Sequence, residues 1–158
     1  MDVTEYLFPI SSTLHTLAAV IWVGGMFFAH MAMRPALQEQ DPPVRLAILS
    51  RVFPRFFAWV WLSVIIIPLT GYIMVFYDFG GFEAAGYHVT VMHAVGWVMV
   101  FIYLFIYFRP YLKFQNAVRA ENLPEAGQHF ALIRRLITTN LVLGLIVISA
   151  GVSGRFWG

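Results

Sequence analysis

Five histidines, at positions 15, 30, 88, 93 and 129, are the side chains whose type and spacing point most directly to chemistry. Two of them lie inside "LHTLAAVIWVGGMFFAHMAM", residues 14–33, a stretch with no acid to pair with either. An imidazole in so apolar a segment is costly unless something binds it, so His15 and His30 are candidate functional residues. On a helix advancing 100° and 1.5 Å per residue they stand about 60° apart in azimuth and about 22 Å apart along the axis. They can face one bundle interior from opposite ends of an apolar core about 30 Å thick. Trp22 and Met26 share the direction of His15 to within about 20°, with Ala18, Ala19 and Ala29 nearby.

A second segment, "HVTVMHAVGW", carries His88 and His93. In an up-and-down bundle His93 lies at the depth of His15, whereas His88 points about 140° away from it and reads as interfacial. His129 comes from the opposite surface, ahead of Arg134 and Arg135. The spacing thus pairs His15 with His93 near one surface and His30 with His129 near the other. Two neutral imidazoles facing across a bundle are what a six-coordinate b-type haem requires, and a low dielectric favours the neutral form. Haem propionates want arginine, which Arg51, Arg55, Arg134 and Arg135 could offer at the second surface. One or two haems b, serving electron transfer, are the leading expectation.

The methionines support a rival. Met26, His30 and Met33 share one helix face, as do His88, Met92 and Met99, and thioether with imidazole suits Cu(I). Copper binding or transport is therefore the alternative, and packing without any cofactor is a further reading. The absence of cysteine excludes disulfides, iron–sulfur clusters, CxxCH haem attachment and thiolate metal sites. Asn140, in "TTNLVLG", is an amide that must find a partner, as interhelical glue. Trp59, Trp61 and Trp157 read as an interfacial belt.

These residues need elements to hold them, and the charge pattern supplies four. The chain has 158 residues, 60% hydrophobic and only 11% charged, against about a quarter charged in soluble domains. No Asp, Glu, Lys or Arg occurs between Glu5 and Arg34, Arg55 and Asp78, Glu83 and Arg109, or Arg135 and Arg155. Each interval is long enough, at roughly 20 residues or more, to cross a bilayer. Spans are expected at about 7–33, 56–77, 87–108 and 136–154, as one all-α, antiparallel four-helix membrane domain. Arg34, Arg45, Arg51 and Arg55 follow the first span, and Arg109, Lys113, Arg119, Arg134 and Arg135 follow the third, leaving Arg155 alone on the other side. The basic side should be cytoplasmic and both termini outside, on the periplasmic side of a bacterial inner membrane. The start "MDVTEYLFPI", with Asp2 and Glu5 and no basic region, reads as part of a retained first span. "DPPVRL" looks like a helix start at Asp41, Pro54 is expected to kink the way into span two, and "NLPE" has capping-box spacing from Asn122 to Glu125. Nothing suggests a nucleic-acid partner. Beyond lipid, a quinone, a periplasmic redox or copper-binding partner and a second copy of the chain remain open as partners.

The H-x6-W-x-G-G pattern at His15, Trp22, Gly24 and Gly25, together with the closing run through Arg134, Arg135, Asn140, Gly144 and "GRFW", resembles the short form of the copper resistance protein D (CopD) family. That resemblance implies copper handling in the cell envelope. A related group, the HemJ type of protoporphyrinogen oxidase, is similar in having first-helix and third-helix histidines like His15 and His93, which implies a porphyrinogen-oxidising alternative. In that group a lysine is expected two residues after the third-helix histidine, where this chain has Val95.

Overall fold

The computed structural model describes residues 4–157, without the side chains of Thr4, Glu5 and Arg155. Asp2, named above in the expectation for the start of the first span, lies outside the described residues. Helix α1 (Thr4–Phe28) passes through a five-residue π turn (Ala29–Met33) into the short α2 (Arg34–Gln38). Then come α3 (Pro42–Ile73), a π turn (Met74–Asp78), α4 (Tyr87–Ile106), a third π turn (Tyr107–Tyr111) and α5 (Leu112–Arg119). α6 (Leu123–Ser153) closes the bundle. Among the described residues there is no strand. Four helical stretches, Tyr6–Gln38, Pro42–Asp78, Tyr87–Arg119 and Leu123–Ser153, are long and apolar enough to cross a membrane. The protein is thus an all-α, multi-pass membrane protein.

Two of the π turns have a local cause. Proline lacks the N–H of the helix ladder, and its ring crowds the carbonyl four residues back. Pro35 lies just after the first π turn and Pro110 sits inside the third, so widening the turn relieves the clash without ending the helix. α3 runs as one continuous helix through Pro54 and Pro68. α3 begins at Pro42, well before the charge-free interval, with Asp41 in the N-cap position but making no side-chain cap bond. The cap at α6 is as expected: Asn122 Oδ1 accepts from the Glu125 N–H at 3.3 Å. With 31 residues, α6 is about 46 Å long and overshoots a hydrocarbon core of about 30 Å.

Side-chain pairings give the order of the helices. His15 meets Thr70, and Gly25 lies under the ring of Phe56, so α1 and α3 run antiparallel. Tyr72 meets His93, and Phe57 stacks edge-to-face on Tyr107, so α3 and α4 do too. Met99 and Met92 of α4 crowd Gly144 and Gly151 of α6, and Val23 of α1 crowds Gly144 from the other side. α1 packs closely on α3 and α4 on α6, and glycines permit both approaches. Between these pairs the core is aromatic: the Tyr103 ring packs on Trp22, Phe57 and Trp61, and its hydroxyl donates to the Phe57 carbonyl at 3.0 Å.

Candidate metal centre

The terminal end of the bundle holds His15 and His93 at one level, because their partners are two residues apart on α3. Thr70 donates its only hydroxyl proton to the Ile66 carbonyl at 2.6 Å. Its oxygen, 2.9 Å from His15 Nδ1, must therefore accept. His15 is held as the Nδ1–H tautomer, which leaves the lone pair on Nε2. On the opposite side of α3, Tyr72 accepts from Trp97 Nε1–H at 3.2 Å, and its hydroxyl is hydrogen-bonded to His93 Nε2 at 2.8 Å. His93 is wedged by the Phe82 ring, 4.8 Å between centroids. His15 thus presents a ready ligand nitrogen, whereas the corresponding nitrogen of His93 is already occupied by Tyr72. Thr70 and Tyr72 are not legible as site residues in the sequence, because only the packing of α3 against two neighbours shows which hydroxyl meets which ring.

The basic end treats His30 as the terminal end treats His15. Thr138 of α6 donates to the Arg134 carbonyl at 2.9 Å and lies 3.2 Å from His30 Nδ1. His30 is therefore also held as the Nδ1–H tautomer, with Nε2 available. It lines a cavity of about 220 Å³, open on one side, together with Met33, Arg34, Arg45 and Arg134. Of the four arginines expected to hold propionates, Arg134 alone lines it. Arg51, Arg55 and Arg135 are exposed, with Arg55 bonded back to the Arg51 carbonyl; Arg34 and Arg45 line the cavity beside Arg134. His129 is also elsewhere, 3.6 Å from Glu125 one turn back on its own helix.

The other candidates are structural in their contacts. Trp22 is 3% exposed and packs edge-to-face on Tyr103, and Met26 is buried beside it in the core. Met33 shares the cavity with His30, so the first Met/His face is divided between core and cavity. His88 packs against Gly154, and its ring lies 6.5 Å from that of Trp157. Trp59 is exposed, while Trp61 packs on Tyr103 and Tyr107. Asn140 is the interhelical link expected of it: Nδ2 donates to the Met99 carbonyl at 3.2 Å, while Oδ1 is buried without a partner. Among the described residues, no group of three or more His, Cys, Asp or Glu is placed to hold a metal ion. A metal here would draw on one or two imidazoles and on ligands from another source.

The family model for copper resistance protein D matches residues 50–153. The chain belongs to that family. The match spans most of α3 and all of α4 and α5 to the end of α6, and so includes Thr70, Tyr72, His93 and Thr138, while His15 and His30 precede it. The chain is also similar to an uncharacterized protein of Aquifex aeolicus (strain VF5), 28% identical over 143 residues that cover 90% of this chain and 91% of that one. No solved structure matches.

Proposed function

We propose that this member of the copper resistance family is a b-type haem protein of the bacterial inner membrane that carries electrons, in which His15 and His93 would hold the haem. The observation that supports it is the Thr70 hydroxyl, oriented by the Ile66 carbonyl, which fixes His15 with its Nε2 lone pair free. Ligating histidines are generally held in this way through their other nitrogen. The donor set fits a haem: two imidazoles at one level, in a bundle lined by aromatic rings. The packing as it stands leaves no space there, since the Tyr72 hydroxyl occupies His93 Nε2 and its ring, with Phe82, fills the space beside it; haem binding requires Tyr72 to turn away. Bound there, a haem would supply one-electron redox chemistry. Thr70 would hold the proton on His15 Nδ1, Trp97 would keep Tyr72 nearby, and the aromatic rings would exclude water.

The reading is tested by absorption spectra of the detergent-purified protein, oxidised and dithionite-reduced, with pyridine haemochrome quantitation. A Soret band with sharp reduced b-type bands, lost in both His15→Ala and His93→Ala, is the expected result. A colourless protein made with ample haem supply overturns it.

Membership of the copper resistance family favours a second reading, copper bound by His30 and Met33, which share one cavity. Three guanidiniums line that cavity as well, and they repel a bare cation. Copper would have to enter with compensating anions. Copper content unchanged by combined Met26→Leu, His30→Ala and Met33→Leu substitution removes this reading.

A further inference from the structure

We propose that the basic-end cavity is a binding site for the phosphate group of an anionic phospholipid. The site is built from three spans: Arg34 and His30 from the end of the first, Arg45 from the start of α3, and Arg134 from α6. No carboxylate lines it, and among the described residues none pairs with any of the three arginines. Arg45 Nε is fully enclosed and has no hydrogen-bond partner. An enclosed guanidinium donor without an acceptor is costly; an anion seated between the three arginines would neutralise their charge and accept from the guanidinium groups that line the cavity. The guanidinium fork matches phosphate oxygens two at a time.

The remaining walls say what the phosphate is attached to. Leu37, Leu49, Phe53 and Ile137 line the same cavity, so a charged head would continue into an apolar body. At about 220 Å³ the space is smaller than the roughly 300–1,000 Å³ of pockets that enclose whole cofactors; a headgroup with its first carbons suits it, and the acyl chains would lie outside it. The cavity lies at the end of the bundle that carries nine of the ten basic residues, the end expected to be cytoplasmic. Basic pockets between spans on that side suit anionic headgroups. This site does not depend on the haem reading.

The test uses the full chain in detergent, titrated with dioleoyl phosphatidylglycerol, dioleoyl phosphatidylcholine or inorganic phosphate, with Tm as the readout. Phosphatidylglycerol should raise Tm saturably and phosphatidylcholine should not. Arg45→Ala and Arg34→Ala should each weaken half-saturation on the order of tenfold, whereas Lys113→Ala, an equal loss of charge at an exposed position outside the cavity, should leave it unchanged. Arg45→Lys, which keeps charge but loses the fork, should fall between, and it carries the test with Arg34→Ala if Arg45→Ala fails to fold. A full shift from inorganic phosphate alone, with the same Arg45 dependence, overturns the lipid as source and assigns a soluble anion. No shift, or equal weakening by Lys113→Ala, overturns the site.

Discussion

Near the chain termini, Thr70 holds His15 through Nδ1, and the adjoining bonds run between the neutral groups of Tyr72, His93 and Trp97. At the other end of the same span, Thr138 holds His30 through Nδ1 in the same way, but the neighbours are the guanidiniums of Arg34, Arg45 and Arg134. The same local device, a hydroxyl spent on a backbone carbonyl and therefore accepting from an imidazole, leaves an Nε2 lone pair at both places. What differs is the field around that lone pair. A cationic metal centre is tolerated among neutral groups and opposed beside three positive charges, while an anion has the reverse preference. One span therefore presents two imidazoles that suit different ligands.

The strongest way to break this contrast is to exchange the two histidines' expected roles. His15→Ala should abolish a reduced b-type spectrum altogether, while His30→Ala should leave its bands in place; loss in His30→Ala with retention in His15→Ala would invert the assignment. Next in size, Thr70→Val preserves shape and removes the hydroxyl that sets the tautomer. Haem occupancy should fall about 10- to 100-fold, with Thr138→Val spectroscopically silent, as read by haemochrome titration. Tyr72→Phe sharpens the terminal-end account in the opposite direction. It frees His93 Nε2, so haem should bind more tightly, and unchanged affinity would show that Tyr72 does not compete for that nitrogen.

Two smaller effects test the scaffold that keeps the ends apart. A methyl added at Gly144 would lie 2.8 Å from a Val23 methyl, so Gly144→Ala should cost about 1–3 kcal/mol in a reversible unfolding measurement. A methyl at Gly24 meets nothing within 4 Å, and Gly24→Ala in the helix interior should stabilise by about 0.5–1 kcal/mol. Its neighbour Gly25 lies beneath the Phe56 ring. The paired glycines of the H-x6-W-x-G-G pattern are thus unequal: one is needed for the approach of α3, and the other is dispensable for packing.

Much of the fold was legible because a bilayer imposes it. Apolar intervals of spanning length must be helical, since hydrocarbon offers no partner to an open backbone, and the four intervals without charge became four helices. The cap at Asn122 and the need of Asn140 for a partner were also readable, as both depend on groups close in sequence or on burial alone. Arginine placement was not. Counting along the chain favoured Arg51, Arg55 and Arg135, yet Arg34 and Arg45 line the cavity. His30 and Arg34, four residues apart, share a face of the first span, and the π turn at Ala29–Met33 shifts the register of the residues that follow it. Pro35 was the signal for it in the sequence, and it marks a widened turn rather than an end.

The sequence by itself determined that this is a membrane bundle with its basic residues gathered at one end, that four of its five imidazoles, His15, His30, His88 and His93, sit in apolar stretches without acids, and which family it resembles. These depend on local composition and on periodicity along single helices. Only the tertiary structure decided which hydroxyl meets which imidazole, that Tyr72 occupies His93, that Trp22 and Met26 belong to the core, and that three arginines from three spans share one cavity. Those facts depend on the relative rotation of packed helices, and that is set by glycine contacts, aromatic packing and π turns acting across the whole bundle.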